Sequence, residues 1–378
     1  MSSSIEESTS YFDVIIVGGG VAGCATALAL FRTNPGASIL ILDDANPSVF
    51  KLVEELSKDR TDSVQIKCTG NASAWTTSEL EETYAMMNPF GMGWHLDRAS
   101  FDQILRDTVG SVCPGSVSLV KSVFLGIDKL DDNSHWSVSV KGIASDEKKV
   151  YHSKWVVDAS GRKSSVARKL GSRTVKEDAL LAFYAVFVPP LTTEDRDYRT
   201  LIEASESGWW YSSPLPNNRR VVAYHTDDTD PTSRDARKHD GFMNLLHTTQ
   251  HISRLITEGE YDILFDTDTR YPICTAAGSS RLEPPCDTAD PEGVRWVAVG
   301  DAAMAFDPLS SQGIITAMRV GCAVGAAIAQ EIQAPGSKDL TSGIREIYSQ
   351  VWSKYVKEKR YFYSQGKRFD GEFWRVRK

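Results

Sequence analysis

The chain of 378 residues is 41% hydrophobic and 24% charged, and its formal net charge is −8. This composition is typical of a globular protein with two domains or one large one, and the acidic balance argues against nucleic acid or an anionic membrane as main partner. Residues 1–10 are polar and acidic, which predicts a disordered tail and not a signal peptide, and no continuous apolar run reaches the ~18 residues of a membrane span. We expect a cytoplasmic protein.

The cysteines give no sign of a metal or of a disulfide framework. They lie far apart in the sequence, without paired spacing, so we expect buried thiols and no bound metal. The six are Cys24, Cys68, Cys113, Cys274, Cys286 and Cys322.

The first predicted elements are a strand over residues 14–17, a glycine-rich turn and an alanine-rich helix that runs to about Phe31. Gly18 permits the turn, Gly20 lets the backbone approach a pyrophosphate, and Gly23 lets helix and strand pack closely. The unpaired N–H groups at the start of the helix would face the anion. This stretch predicts a dinucleotide site.

A second strand, residues 38–42, follows the breaker at residues 34–36 and ends in Asp43, twenty residues after Gly23. At this place an acid accepts hydrogen bonds from the ribose hydroxyls of a dinucleotide. The order of strand, glycine turn, helix, strand and acid makes the dinucleotide prediction specific, because any one of these features alone is weak.

Residues 50–72 give no clear pattern, with a short helix over 51–56 and a strand over 64–66 as the only candidates. The next helix begins where Asp97 or Ser100 can cap it. Arg98 stands at its start. Two interpretations of Arg98 stay open: a surface ion pair, or a contact to a phosphate or polyol chain of the cofactor.

Residues 116–157 alternate between apolar and polar positions, which predicts a β-meander that feeds another core strand. That strand ends in a turn of small residues before a helix, and the turn contains Ser160 and Gly161. Backbone N–H groups in such a turn can bind an anion. Ser160 and Gly161 are therefore candidates to meet the same cofactor from a second side.

Residues 176–290 predict a separate antiparallel sheet, with a hairpin that turns at residues 217–218. Trp209, Trp210 and Tyr211 follow one another in its first strand, so their rings lie on both faces of the sheet. Packing on the core explains at least one of these rings. A wall for an aromatic substrate explains another.

A third segment runs from a strand that ends at residues 300–301 to a long helix over residues 314–332. Asp301 directly after the strand is expected to bond a polyol chain. Pro308 and Gly313 lie in the turn that leads into the helix, whose N-terminus would face a partial negative charge. The closing helix, near residues 344–355, has the apolar spacing of a packed helix.

These segments together resemble the flavin monooxygenase superfamily, which includes para-hydroxybenzoate hydroxylase and the flavin-dependent tryptophan halogenases. Within it, the chain is similar to the halogenase-like branch that contains flavoproteins that mature quinone cofactors. The superfamily motifs are VIIVGGGVAG, DRASFD, DASGRKSS and GDAAMAFDPLSSQG, and those of the branch are TGNASAW, GWHLDR, GWWYSSPLP and FWRVR.

The resemblance implies an α/β fold: a Rossmann-like FAD-binding domain of the glutathione-reductase type, an inserted antiparallel β-sheet substrate domain and a C-terminal helix. The expected boundaries are 1–10 for the tail, 11–175 with 291–335 for the FAD-binding domain, 176–290 for the substrate domain and 336–378 for the C-terminal helical segment. The residues implied to bind FAD are Gly18, Gly20, Gly23, Asp43, Arg98, Ser160, Gly161, Asp301, Pro308 and Gly313.

The activity that the resemblance implies is hydroxylation of an electron-rich aromatic ring, in an indole, a phenol or a peptidyl tryptophan. Reduced FAD activates oxygen as a C4a-hydroperoxide, and NAD(P)H supplies electrons directly or through a separate flavin reductase. His95 and His225 are the candidate bases, and Trp209 and Tyr211 the candidate substrate wall.

Three departures from the family pattern keep alternatives open. Residues 208–214 depart from the GWxWxIP motif of tryptophan halogenases. No residue is a convincing counterpart of their catalytic lysine, and the nearest candidate is Lys67, so halogenation of an aromatic substrate ranks second. Ser160 and Gly161 stand where hydroxylases carry Asp-Gly, which favours a separate reductase. A Gly-Glu-Ser segment expected after Phe50 is missing, which leaves a degenerate flavoprotein with weak or no redox activity as the third hypothesis.

Overall fold

The computed structural model describes residues 10–44, 65–89, 91–132, 134–264, 270–288, 293–336 and 339–378. The short helix predicted over 51–56, the segment after Phe50 and most of the polar tail lie outside these residues. The chain forms two compact units. The first unit comprises Met1–Asn46, Asp102–Lys176 and Ser280–Tyr355, and the second comprises Pro47–Phe101, Glu177–Ser279 and Val356–Lys378.

The strands of the described residues are numbered in chain order. They are β1 (Ser10–Val17), β2 (Ile39–Asp43), β3 (Gln65–Cys68), β4 (Gly70–Ala74), β5 (Glu81–Tyr84), β6 (Gly93–Leu96), β7 (Val117–Lys129), β8 (Trp136–Gly142), β9 (Lys148–Asp158), β10 (Arg173–Lys176), β11 (Leu180–Val188), β12 (Arg199–Ser205), β13 (Gly208–Leu215), β14 (Arg219–Asp227), β15 (Asp262–Ile263), β16 (Ile273–Ala276), β17 (Ser280–Glu283), β18 (Cys286–Asp287), β19 (Arg295–Ala298) and β20 (Met304–Ala305).

The α-helices of the described residues are α1 (Val21–Thr33), α2 (Arg98–Val112), α3 (Ser165–Lys169), α4 (Thr232–Asp235), α5 (His239–His247), α6 (His251–Glu258), α7 (Gly313–Gln333), α8 (Leu340–Gln365) and α9 (Glu372–Arg375).

A parallel sheet forms the centre of the first unit, with the spatial order β7-β2-β1-β9-β19. Its central strands are apolar and buried, as is typical of a sheet covered on both faces. The predicted β-meander over 116–157 is confirmed, because β8 pairs antiparallel with both β7 and β9. The chain order of the parallel strands reverses between β1 and β9, which is where open α/β sheets bind their ligands.

The register brings the carboxyl ends of four strands to the same level. Val17 of β1 pairs with Leu42 of β2 and with Asp158 of β9, and Asp158 pairs with Ala298 of β19. The glycine turn, Asp43, the Ser160 turn and the turn at Asp301 therefore start from one edge of the sheet.

Helix α7 packs on α1 through small residues. A Cβ added at Gly325 would lie 2.3 Å from the Thr26 carbonyl oxygen, and one at Gly321 would lie 2.8 Å from that of Ala22. By length and composition alone α7 is apolar enough to cross a membrane, with 39% of its most apolar window buried. Its packing against α1 accounts for the small residues that the sequence shows there.

The second unit contains a sheet with the order β15-β11-β14-β13-β12-β4-β5 and β16 beside β11. Its part from β15 to β12 is antiparallel, as predicted, whereas β4 pairs parallel with β12. The hairpin of β13 and β14 is confirmed, and Asn217 and Asn218 at its turn have φ of 63° and 54°. Two strands from earlier in the chain, β4 and β5, extend the sheet beyond the predicted segment. Assignment of residues 176–290 as a substrate domain stays a prediction.

One face of this sheet is closed by the helices α5 and α6. Trp210, Tyr224 and Phe183 on the strands form a buried cluster with Phe242 and Leu246 of α5. Because side chains alternate along a strand, Trp209 and Tyr211 lie on the other face. The two faces of the second unit therefore have different surroundings.

Candidate functional site

The glycine turn combines tight packing with an open approach. Gly18 has φ of 112°, and a Cβ there would lie 2.2 Å from the Ala159 carbonyl oxygen, while one at Gly23 would lie 2.0 Å from that of Gly18. A Cβ at Gly20, in contrast, would meet no atom within 4 Å. Gly20 precedes α1 and provides no side-chain cap for its first N–H groups. The space over Gly20 and these N–H groups fit a pyrophosphate.

Asp43 lies directly behind this turn and is 6% exposed. Its Oδ1 accepts a hydrogen bond from the Gly19 N–H at 3.1 Å, and its Oδ2 accepts one from Nε of Arg106 at 2.7 Å. A carboxylate has about four acceptor positions, so positions remain for ribose hydroxyls. Arg106 could not be predicted from the sequence, because its pairing with Asp43 joins residues far apart in the chain.

The second turn is held by Asp158, which is fully buried. It accepts hydrogen bonds from Ser160 and from the N–H groups of Val166 and Ala167 at 3.0 and 2.8 Å. Burial raises the pKa of Asp158, and these hydrogen bonds oppose that shift. The Ser160 hydroxyl donates to Asp158 at 2.6 Å and accepts from the N–H of Ser165 at 2.7 Å, so it is engaged in the turn itself.

Gly161 and the third segment meet around Arg162. Gly161 has φ of 68°, and a Cβ there would meet no atom within 4 Å. Arg162 Nε lies 3.4 Å from Oδ2 of Asp301, and its Nη2 donates to the Phe306 carbonyl oxygen at 3.1 Å. The structure therefore brings together the turn at Gly161 and the turn at Asp301, both of which the sequence predicted as cofactor contacts. Arg162, which joins them, was not predicted from the sequence.

The turn before α7 is ordered by Asp307, whose Oδ1 accepts from the Leu309 N–H at 2.9 Å and whose own N–H donates to the Tyr355 hydroxyl at 2.9 Å. Pro308 begins the short 3₁₀ turn Pro308–Ser310. Gly313 is the first residue of α7, which has no side-chain cap. The predicted helix start is confirmed within one residue.

Arg98, the remaining predicted cofactor residue, lies in the second unit. It is the first residue of α2 and is exposed. The predicted cap is confirmed, because Oδ1 of Asp97 accepts from the Ser100 N–H at 3.1 Å. Oδ2 of Asp97 also accepts from Nη2 of Arg219 at 2.7 Å, which ties the start of α2 to β14.

Both tryptophans of β13 are buried in packing contacts. Trp210 stacks on Tyr224, with ring centroids 4.7 Å apart. Trp209 stacks on His225 at 3.7 Å and donates from Nε1 to the Tyr363 hydroxyl at 3.0 Å. These contacts favour a packing role for both indoles.

Tyr211 differs from the two tryptophans that precede it. It is half-buried, and its hydroxyl donates to Oγ of Ser213 at 3.0 Å. Of the three successive aromatic residues, Tyr211 is therefore the one that is not fully buried.

The two candidate bases are both buried but have different partners. Burial lowers the pKa of His225 to about 3, so its ring is neutral at physiological pH. His95 Nε2 lies 3.1 Å from the Tyr198 carbonyl oxygen, and its ring also hydrogen-bonds Cys68. A base that meets substrate must reach it, and burial disfavours His225 for that role.

No group of three or more His, Cys, Asp or Glu residues that could hold a metal is found among the residues described above. The first unit instead collects backbone N–H groups, glycines and a buried acid at the carboxyl edge of a parallel sheet. These features define a Rossmann-like dinucleotide-binding protein with a second, antiparallel unit.

Comparison with known families gives a more specific assignment. The family profile described as tryptophan halogenase matches residues 48–378, and the chain belongs to this family. It is thereby a member of the halogenase-like branch of the flavin monooxygenase superfamily and an oxidoreductase, which confirms the resemblance found in the sequence.

Individual proteins agree with this assignment. LodB of Marinomonas mediterranea, named as an FAD-dependent oxidoreductase, is 28% identical over 382 residues, which cover 97% of this chain and 96% of LodB. The myxobacterial chondrochloren halogenase CndH has the same fold, with a TM-score of 0.79 and 18% identity over 98% of this chain and 86% of its own. The peptidyl tryptophan dihydroxylase QhpG gives a TM-score of 0.66 and 18% identity, over 97% and 79%.

Proposed function

We propose that this protein is an FAD-dependent monooxygenase that hydroxylates an electron-rich aromatic ring, in an indole, a phenol or a peptidyl tryptophan. One observation carries the proposal: in a chain of the tryptophan halogenase family, the space over Gly20 is open while Gly18 and Gly23 are closely packed. This combination supports FAD binding, because the pyrophosphate must approach the backbone closely at the start of α1.

The first unit supplies the residues that would hold FAD. The turn at Gly18 and Gly20 and the start of α1 would bind the pyrophosphate, and Asp43, neutralised in part by Arg106, would accept from the ribose. Asp301 would bond the polyol chain. When bound, FAD supplies oxygen activation and transfer of an oxygen atom to the ring.

The start of α7 at Gly313 contributes electrostatics. Its N–H groups have no side-chain cap, and the helix is 21 residues long. A negative charge that faces this N-terminus is stabilised by about 0.3–2 kcal/mol. The chain would thereby favour the anionic form of a reduced cofactor that faces this helix start.

The second unit offers a surface for the aromatic substrate. Ile202 pairs with Tyr211, so Thr200, Ile202 and Tyr211 share one face of the sheet, and all three are half-buried. The opposite face is closed by α5 and α6. An aromatic ring can pack on Tyr211 edge-to-face or offset-stacked, which fixes its orientation.

The test begins with the purified full chain, whose flavin absorption is measured before and after desalting. A flavin reductase, NAD(P)H and isotopically labelled O₂ are then supplied with an indole, a phenol and a tryptophan-containing peptide. We expect flavin close to one per chain and a product that contains one labelled oxygen atom. Hydrogen peroxide as sole product with every aromatic compound contradicts the hydroxylase. Loss of flavin on desalting, with no turnover on added FAD, favours the degenerate flavoprotein instead.

Halogenation is the second candidate, and membership of the tryptophan halogenase family favours it. Lys67 lies in β3, is exposed and pairs with Trp94 of β6. The same reaction is run with chloride or bromide, and halide-dependent product is sought by mass spectrometry. If halogenation occurs, Lys67→Met removes the halogenated product while the oxygen consumption stays. Absence of any halogenated product under these conditions excludes this candidate.

A further inference from the structure

The β3–β6 ladder places a cysteine and a histidine side by side in the second unit. Cys68 pairs with Gly93, and Ile66 pairs with His95, so Cys68 and His95 lie diagonally on the same face. Gly93 has no side chain, and a Cβ there would be 3.6 Å from Cβ of Cys68. The position opposite the thiol is therefore left open for the histidine ring.

The hydrogen bonds orient both groups. His95 Nε2 lies 3.1 Å from the Tyr198 carbonyl oxygen, and because a carbonyl only accepts, Nε2 carries a proton. The ring's other nitrogen remains for its hydrogen bond with Cys68. The thiol sulfur lies 3.3 Å from the Gly70 carbonyl oxygen and 3.9 Å from Oγ1 of Thr200.

The groups that act on the thiol come from three elements. His95 lies on β6, Thr200 on β12 and Tyr211 on β13, where the charge of Cys68 acts on the Tyr211 hydroxyl. Lys67 is next in sequence but points to the opposite face of β3. His95 is therefore the ionisable side chain that faces Cys68 across the β3–β6 ladder.

Cys68 also differs from the other thiols. Burial raises the pKa of Cys24 to about 12 and that of Cys286 to about 11. Burial acts on Cys68 in the same direction, but the hydrogen bond and charge of His95 outweigh it and lower its pKa to about 7. The half-buried Cys68 is thus set apart from the inert buried cysteines.

We propose that Cys68 and His95 form a reactive thiolate–imidazolium pair and that Cys68 is a modification site for small electrophiles, with hydrogen peroxide as oxidant. The sulfur attacks one peroxide oxygen, an S–O bond forms and the O–O bond breaks. The leaving hydroxide takes the proton of His95 and departs as water. Sulfur is oxidised to a sulfenic acid and peroxide is reduced.

This sulfenic acid is expected to persist until a reductant removes it. Cys274, the other cysteine of the second unit, packs against the hydrophobic cluster on the face closed by α5 and α6. Cys68 lies near Thr200 and Tyr211, which belong to the other face. The two thiols cannot form a disulfide without rearrangement of the sheet.

The test uses the full chain with all six cysteines reduced, labelled briefly with iodoacetamide from about pH 5.5 to about pH 9 and quantified peptide by peptide. Cys322, which is exposed on α7, is the control within the same molecule. At neutral pH we expect Cys68 to be labelled about tenfold faster than Cys322, with a midpoint near 7. Slower labelling of Cys68 than of Cys322 at every pH overturns the proposal.

Two variants separate the role of His95 from simple packing. His95→Gln keeps a donor for the Tyr198 carbonyl but cannot be protonated, so we expect the midpoint of Cys68 to rise and its labelling at neutral pH to fall about tenfold. Labelling of Cys322 should not change. If His95→Gln does not fold, Thr200→Val is used instead, because it replaces the hydroxyl and keeps the shape of the side chain. It should raise the pH midpoint of Cys68 labelling, by less than we expect for His95→Gln. An unchanged midpoint in the folded variants overturns the pairing.

Peroxide treatment gives the final measurement. After addition of hydrogen peroxide, a sulfenic-acid trap such as dimedone should label Cys68. Dithiothreitol added after the peroxide and before the trap should abolish this labelling. Cys68→Ser is the control and should carry no adduct in the same peptide. Trapping at Cys322 with none at Cys68 contradicts the proposed site. These readouts need no bound flavin, so they are independent of the proposed function.

Discussion

The nucleotide edge of the first unit and the sheet of the second unit are built in different ways. At the edge, backbone groups matter most: glycines, helix N-termini and strand ends at one level, with Asp43 as the main side chain. In the second unit, side chains on one face of the large sheet form the proposed substrate surface, and side chains of the two-stranded β3–β6 ladder form the Cys68–His95 pair. Changes at the edge should act on the cofactor, and changes in the sheet on stability or substrate.

The largest effect is expected in the second unit, at the buried ion pair of Arg220 and Asp195. Arg220 is fully buried and donates to Asp195 from Nε and Nη2 at 2.8 and 3.0 Å. Arg220→Ala leaves the Asp195 carboxylate buried without its partner, which should lower the free energy of unfolding by about 3–5 kcal/mol. Urea denaturation measures this loss.

The control for that variant is Arg196→Ala. Arg196 forms an exposed ion pair with Glu194, so its loss should cost less than ~1 kcal/mol. A similar small loss in Arg220→Ala would show that the buried pair does not stabilise the sheet.

The second effect concerns the nucleotide edge. Gly20 has φ of −79° and a Cβ there meets no protein atom, so Gly20→Ala should fold normally. The added methyl group occupies the space of the pyrophosphate, and we expect the affinity for FAD to fall about 100-fold, or about 2.7 kcal/mol. Flavin titration and the Tm are measured together.

Gly110→Ala is the matched control for Gly20→Ala, because Gly110 is also free of neighbours within 4 Å but lies within α2. It should leave FAD binding unchanged. Equal flavin affinity in both variants would contradict the assignment of the turn at Gly20 to the pyrophosphate.

The third effect is the pH dependence that His225 gives to stability. Its folded pKa, lowered to about 3 by burial, lies below the ordinary value of about 6.5, so between these values the unfolded chain binds the proton. Stability should therefore be fully present above about pH 6.5 and decrease as the pH falls towards 3, by up to ~1.4 kcal/mol per unit. His225→Phe keeps a ring on Trp209 and should flatten this slope.

His239→Gln serves as the control, because His239 is exposed at the start of α5. In His239→Gln, the change of the unfolding free energy with pH should match that of the unmodified protein. Unfolding free energies at several pH values decide the matter, and an unaltered slope in His225→Phe would count against a buried neutral imidazole.

The smallest effect is expected for Tyr211→Phe. The change removes the bond to Ser213 but keeps the ring, so kcat/KM for the aromatic substrate should fall less than ~3-fold, while Tyr211→Ala should lower it more than ~10-fold. Flavin content should be normal in both. Equal kcat/KM in all three proteins would remove Tyr211 from the substrate surface.

The sequence predicted those features whose cause is local. The glycine turn, the cap at Asp97 and the turn at Asn217 depend on a few neighbouring residues, and the structure confirms all three. Arg106 and Arg162 were missed, because their acids lie far away in the chain and no short spacing relates them. These pairs depend on how a helix and two turns pack at the end of the parallel sheet, which one sequence does not specify.

The aromatic run of β13 shows the same limit. Alternation along the strand predicted rings on both faces, and that is confirmed. Which of them is covered depends on Tyr363 and on α5, both remote in sequence, and both tryptophans are covered while Tyr211 is only half-buried. Periodicity predicts the face of a residue, but only the fold determines what packs on that face.

The two-faced sheet of the second unit also affects how the enzyme can be re-engineered. Substitutions on the face closed by α5 and α6 disturb a packed cluster and cost stability. Thr200, Ile202 and Tyr211 are half-buried on the other face, so a small combinatorial library at these three positions would disturb that cluster less. If they form the substrate surface that we propose, such a library would change the range of accepted rings in few steps.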